Sequence, residues 1–210
     1  MSKEGKLVEG KGNALEIGYI TFNTNSDPFN REVIRKALLH SINRELISKR
    51  VSYGLRKPLR SLVPADLKKN NQDIWPIYSP NKARNLLKGE GYCNGEKLFF
   101  PLTFRSNVPS DKLLALTWQA QINKDLSDCI EINLNGMEST TIYRQLEKGA
   151  FQAVMLDWRG SYPDPEAYLS PLLSCDEFKK QICSKGEAVT SGSFWTSSLV
   201  QNSLIKSDSI

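Results

Sequence analysis

Between residues 98 and 158 the hydrophobic pattern switches repeatedly between a period of two and a helical period, and this alternation restricts the fold more than any other feature. Leu98, Phe100, Leu102 and Phe104 alternate with other residues, which predicts a strand. Pro101 lies inside it and lacks an amide N–H, so the strand is expected near a sheet edge. Ser110 reads as the cap of a long helix reaching about Leu126. Ile130, Ile132 and Leu134 alternate again, a helix is predicted over Ser139–Lys148 with its stop at Gly149, and Phe151 to Trp158 is a nearly continuous apolar strand. The order strand, helix, strand, helix, strand favours parallel pairing through right-handed crossovers. The expected class is α/β, with a mixed sheet flanked by helices.

The first half of the chain supplies further elements. Residues 1–14 are polar and read as an arm, and Leu15 to Asn23 is rich enough in β-branched and aromatic residues for a buried strand. Asn30 is the expected cap of a helix from Arg31, whose inner face is Ile34, Ala37, Leu38 and Ile42. Asn43 reads as a second cap, with Leu46 and Ile47 on the next short helix and Gly54 ending it. Residues 54–79 are irregular, with Pro58, Pro64 and Pro76. Ser79-Pro80 is a strong helix start, Ala83, Leu86 and Leu87 form the buried face, and Gly91 suits the stop. Beyond the third strand of the alternating region, a short helix begins at Glu166 with Asp164 as its cap. Residues 174–193 are polar, and Ser197 to Ile205 is helical in pattern.

Composition narrows the functional classes. A 210-residue chain with 40% hydrophobic residues can hide roughly 70% of its unfolded surface, so a true core is expected. No apolar stretch approaches the ~20 residues of a membrane-spanning helix. The net charge of +5 comes from 28 basic and 23 acidic residues, with small basic clusters at Arg56–Arg60 and Lys68–Lys69. These do not form the aromatic-interleaved basic stripe of a nucleic-acid binder, and they read as solvated surface. Met1 to Lys6 is polar and lacks the apolar segment of an export signal, which on its own points to the cytoplasm.

The residues nominate no catalytic constellation. His40, the single histidine, sits within the predicted helix, and no G-x-S-x-G elbow presents a serine to it. No phosphate-binding G-x-x-x-x-G-K-[ST] loop is present. Cys93, Cys129, Cys175 and Cys183 form no C-x-x-C pair, so zinc is not expected. Cys175 and Cys183 are close enough to close a short disulfide, and four buried thiols fit the sequence equally. The most informative segment is the loop after the third strand of the alternating region, Trp158 to Asp164. In α/β sheets, ligands bind beyond the carboxyl ends of strands. This loop offers two aromatics, a cation, a hydroxyl and backbone freed by Gly160. It fits a binding edge, and it also fits a proline-stiffened connection whose aromatics pack inward.

With these residues in view, the chain resembles the family 5 extracytoplasmic solute-binding proteins of peptide, nickel and related ABC importers. Tyr19-Ile-Thr-Phe-Asn23 is similar to the family's strand ending in Phe-Asn. Arg35-Lys-Ala-Leu-Leu-His-Ser-Ile-Asn-Arg44 resembles its R-x-A-L-x-x-A-I-[DN]-R helix, and Gly54 with Val63-Pro64 fits the following loop. Tyr78 to Leu87, then Gly91-Tyr92 and Asn94-Gly95, resemble its Y-x-P-x-x-A-x-x-L-L…G-Y-x-x-G segment. Gly149-Ala-Phe151, Trp158 and Tyr162-Pro-Asp-Pro165 follow its G-x-[FY]-[DQ]…W…Y-x-[DE]-P run.

The resemblance implies one lobe of a periplasmic-binding-protein-like two-lobe fold in which solute is trapped between lobes. Residues 1–14 become a flexible arm or hinge remnant, and 15–210 a truncated C-terminal lobe. The implied function is the substrate-binding component of an ABC importer, non-enzymatic and without cofactor or metal, binding a peptide or peptide-like solute. The implied partners are that solute, a membrane permease, and the N-terminal lobe in cis or as a separate chain, with no nucleic acid. The implied location is periplasmic or extracytoplasmic although no signal peptide is seen, and export makes a Cys175–Cys183 disulfide the expected state. An isolated lobe acting as an interaction or structural module without solute capture is the alternative.

Carried over residue by residue, the resemblance places Trp158, Arg159, Gly160 and Ser161 on the cleft wall, with Tyr162 and Asp164 shaping the turn. Ser161 stands where several peptide binders have an aspartate for the peptide's amino group. Met155 stands where some have an arginine facing a carboxylate. Both departures argue against the same free-ended short peptides, and Arg159 is the cation at hand to replace the missing one.

Overall fold

A computed structural model describes residues 15–68 and 74–207. The arm expected over 1–14 lies outside the described residues. The main sheet contains β1 (Glu16–Phe22), β2 (Leu98–Arg105), β3 (Ile130–Met137) and β4 (Ala153–Arg159), in spatial order β1-β4-β2-β3. β2 runs parallel to both β3 and β4, whereas β1 is antiparallel to β4. The sheet is therefore mixed, as expected, and helices lie on both faces.

One face is covered by α1 (Glu32–Ser41), α3 (Pro80–Gly89) and α4 (Pro109–Asp125), with α2 (Arg44–Ser52) packed on α4. The alternating residues of β2 point Leu98, Phe100 and Leu102 into this layer, where they meet Ile34, Ala37 and Leu38 of α1, Ala83 and Leu87 of α3, and Ala115, Trp118 and Ile122 of α4. Phe29 meets Phe100 edge to face, with ring centroids 5.2 Å apart, and Trp118 meets the same ring at a tilt, with centroids 6.0 Å apart. The other face carries α5 (Ser139–Leu146), whose Ile142 and Leu146 pack on Val154 and Leu156, and α6 (Glu166–Leu173), whose Ala167, Tyr168 and Leu172 pack on Ile17 and Val63.

Three local expectations need correction. β2 is an interior strand, despite Pro101. Pairing with β4 begins only at Leu102, so the missing N–H falls where β2 has a neighbour on one side alone. α4 starts at Pro109 behind Val108, ahead of Ser110, because proline's fixed φ suits a first helical turn. α1 begins at Glu32 with Arg31 at its cap position and no side-chain cap from Asn30. Asn43, in contrast, accepts the Leu46 amide at 3.0 Å and caps α2. Gly91 and Gly149, both at positive φ, end their helices as predicted.

The polar stretch 174–193 is more ordered than its pattern suggests. It forms a hairpin, β5 (Glu177–Lys179) with β6 (Ile182–Lys185), and a short α7 (Glu187–Thr190), followed by α8 (Ser198–Ser207). Two disulfides are present. Cys175–Cys183 brackets the hairpin with Cα atoms 5.9 Å apart. Cys93–Cys129, which sequence spacing does not suggest, joins the turn after α3 to the start of β3 across 36 residues. The free-thiol alternative is thereby overturned.

Candidate functional site

β2 and β4 are parallel, so their carboxyl ends, Arg105 and Arg159, share one rim of the sheet. The nominated ligand-binding residues lie at this rim: Trp158 and Arg159 end β4, and Gly160, Ser161, Tyr162 and Asp164 lie in the connection from β4 to α6. Trp158 is half-buried. Its indole N–H donates to the Ala167 carbonyl at 2.8 Å, and its ring packs with Ile17, Val63 and Leu172. Trp158 therefore ties β4 to α6. Gly160 lies against the same helix: a Cβ there would sit 2.8 Å from the Tyr168 ring and 3.1 Å from the Ala167 Cβ. Tyr168 is fully buried and its hydroxyl donates to the Leu15 carbonyl, so it has little room to retreat. Gly160→Ala is expected to cost about 1–3 kcal/mol and to shift the loop, readable as a lowered urea midpoint. An unchanged midpoint would show that the ring yields freely.

The remaining nominated residues are presented outward. Arg159, Ser161, Tyr162 and Asp164 are exposed. Asp164 Oδ1 accepts the Glu166 amide at 2.8 Å, the expected start of α6. Its own amide donates to the Tyr162 carbonyl at 2.9 Å, closing a tight turn. The Tyr162 hydroxyl donates to the Glu166 carboxylate. The loop is thus anchored at both ends, with Arg159 exposed at the end of β4 and Ser161 and Tyr162 exposed in the loop itself. His40 lies elsewhere, with Nδ1 3.2 Å from the Ile77 carbonyl oxygen.

Beneath the rim is an ion-pair network absent from the sequence reading. Arg105, 5% exposed, grips Asp111 with two bonds, Nε to Oδ2 at 2.7 Å and Nη2 to Oδ1 at 3.0 Å. Its Nη1 donates to Asp157 Oδ1 at 2.6 Å, and the Tyr143 hydroxyl is 3.4 Å away. Burial works against the Arg105 charge, but the hydrogen bonds it donates to Asp111 and Asp157, with their negative charges, outweigh it and hold the proton more tightly than usual. Tyr19, across the sheet, is kept neutral by burial first, with Tyr143 and Asp157 adding to the effect and Arg105 opposing it. The network joins the ends of β2 and β4 to the start of α4 and so fixes the rim. The available signal was a charge near the end of two apolar strands, at Arg105 and at Asp157. What it lacked was the partner, 52 residues away.

Comparison with known proteins places this geometry in context. The model of the bacterial extracellular solute-binding proteins, family 5 (middle region) matches residues 2–180. The heme-binding protein A of Haemophilus influenzae is 30% identical over 173 residues, covering 80% of this chain and 30% of that protein. The dipeptide-binding protein of Escherichia coli is 28% identical over 176 residues, covering 82% of this chain and 32% of its own length. The structure of Haemophilus influenzae OppA in complex with RPPGFSPFR superposes with a TM-score of 0.79 at 18% identity, covering 94% of this chain and 37% of that one, and shows that the fold is shared. The chain spans about a third of the length of these relatives. Two further relatives, of Salmonella typhimurium and Escherichia coli, carry a periplasmic location in their names. With a family match over most of its length and a fold shared with solved members, the chain belongs to the family 5 bacterial extracellular solute-binding proteins.

Proposed function

We propose that this chain forms one wall of a solute-binding cleft in the substrate-binding component of an ABC importer, and that the solute is a peptide or peptide-like molecule. The observation that carries this reading is the open, end-anchored loop 159–164 at the carboxyl rim of β2 and β4 in a chain of this family. Trp158 and Gly160 hold the wall in place, Arg159, Ser161 and Tyr162 face the solute, and Asp164 sets the turn. The opposing wall comes from a second lobe, in cis or on another chain. Capture followed by lobe closure presents the solute to a membrane permease, with no turnover. Two disulfides support an extracytoplasmic location.

Native mass spectrometry of the protein isolated from its own cells tests the reading. The expected result is a bound mass that fragments as a peptide. A bound haem or nickel chelate would overturn the solute class, and a bare monomer that takes up no added peptide would replace capture with the interaction-module alternative. Ser161→Asp is expected to restore a site for a peptide ammonium and to raise affinity for free-amine over N-acetylated peptides about tenfold. Calorimetry with matched tripeptides reads this ratio, and an unchanged ratio would place Ser161 off the solute path.

A further inference from the structure

The turn that follows α2 holds apolar side chains out into solvent. Tyr53 is 93% exposed and Leu55 83%. Tyr53 also takes a positive φ of 53°, which bulky residues rarely adopt. The turn is nevertheless tightly closed. The Ser48 carbonyl accepts the Tyr53 and Gly54 amides, and the Ser52 carbonyl accepts the Leu55 amide at 2.9 Å. The Ser52 hydroxyl accepts the Arg56 amide at 2.9 Å, and the Ser48 hydroxyl donates to the Arg56 carbonyl. Every amide from Tyr53 to Arg56 thus finds its acceptor inside the unit. A Cβ built on Gly54 would meet nothing within 4 Å, so the tip stands clear of the rest of the molecule.

Cations flank this tip. Lys49 and Arg50 lie one helical turn before Tyr53, Arg56 and Lys57 follow Leu55, and all four are exposed. Glu16 holds Arg56 at 2.7 Å, and Glu45, one turn before Lys49, can balance one more. Arg50 and Lys57 have no ion pair among the described residues. Positive charge therefore remains after every neighbouring carboxylate in this segment is counted. The basic cluster that reads in the sequence as solvated surface surrounds a preorganised apolar tip. Because Glu16 lies opposite Arg159, Arg56 also ties the tip to the rim that carries the proposed cleft wall.

We infer that the 49–57 turn is a membrane-contact surface whose partner is an anionic lipid bilayer. Tyr53 and Leu55 enter the headgroup layer, and Lys49, Arg50 and Lys57 lie over the lipid phosphates. A tyrosine ring suits that layer because its body is apolar and its hydroxyl stays wet. The cations gain from the negative surface potential. Amides already bonded within the turn are not stranded when water is thinned around them. A protein partner would need a matching pocket and carboxylates, whereas a bilayer accepts a convex apolar tip with a basic collar. The inference goes beyond the proposed receptor reading and rests on it only for a membrane within reach, since the cleft delivers solute to a permease.

The test uses the full chain and co-sedimentation with lipid vesicles. Binding to vesicles of equal parts phosphatidylglycerol and phosphatidylcholine is expected to be at least about tenfold tighter than to phosphatidylcholine alone. Tyr53→Asn with Leu55→Ser keeps every charge and places a residue suited to positive φ at the cap. It is expected to weaken binding about tenfold with an unchanged urea midpoint. Arg50→Gln with Lys57→Gln is expected to weaken binding about thirtyfold. Lys124→Gln with Lys148→Gln removes the same charge from exposed positions elsewhere and is expected to change binding little. Equal losses from the two charge pairs, or full binding by the tip variant, would mean adsorption by net charge and overturn the surface. Absence of vesicle binding overturns it too, and if the tip variant then loses peptide affinity in calorimetry, the tip belongs to the opposing lobe. Peptide uptake without vesicle binding leaves the receptor reading standing. Vesicle binding that follows the variants as expected, with no peptide uptake, supports the surface and removes the peptide-receptor reading.

Discussion

Arg105→Ala is expected to lower folding stability by about 3–5 kcal/mol, because it strands a buried carboxylate. The Arg105 and Asp111 side chains are 7% and 10% exposed, so solvent cannot take over the lost hydrogen bonds. The arm to Asp157 contributes less, since that side chain is 36% exposed and water screens it. Urea unfolding followed by tryptophan fluorescence reads the loss directly. Arg105→Met combined with Asp111→Leu removes both charges of the tighter pair, and it is expected to recover much of the stability, because the penalty lies in the unpaired charge. The single variant is also expected to loosen the ends of β2 and β4, so affinity for any solute at the rim falls with it. A loss below about 1 kcal/mol would mean that Asp111 is hydrated and the network is superficial.

Removing the Cys93–Cys129 disulfide as a double alanine variant is expected to cost about 4 kcal/mol, from the entropy of a 36-residue loop. The equivalent change at Cys175 and Cys183, only eight apart, is expected to cost about 2.5 kcal/mol. The loss at Cys93–Cys129 is expected to exceed that at Cys175–Cys183, because the longer loop loses more entropy on closure. Thermal melts of the two variants test it, and a larger loss at the hairpin would overturn it. Reductant is expected to lower the melting temperature of the unaltered protein by more than either variant does. Intact mass without reductant is expected to fall short of the reduced mass by four hydrogens, two for each bond.

Legibility in the sequence followed the range of the interactions. The helix faces were readable because Ile34, Ala37 and Leu38, or Ala83 and Leu87, lie one turn apart and are buried together. The strands were readable because Leu98, Phe100 and Leu102 repeat every second residue toward the core. Asn43 and Asp164 were readable because each bonds an amide two or three residues ahead. The Ser110 and Asn30 caps failed within the same short range, where neighbouring backbone preferences decide between adjacent starts.

The site divides in the same way. The loop that follows Trp158 and Arg159 was legible as a loop, because it follows an apolar strand and contains Gly160, Pro163 and Pro165. Whether each side chain faces solvent or a neighbour was not encoded locally. Trp158 donates to α6, and Gly160 is needed by Tyr168, eight residues on. The Arg105 network, the Arg56–Glu16 ion pair and the Cys93–Cys129 bond join residues 52, 40 and 36 positions apart.

The α/β class, the helix faces and the identity of the rim loop were determined by the sequence alone, because side-chain period and turn chemistry act over a few residues. Strand order, the interior place of β2, the second disulfide and the charges available at the rim were decided only by the tertiary structure. Those features depend on which distant segments become neighbours, and solvation and ion pairing respond to that proximity rather than to sequence spacing.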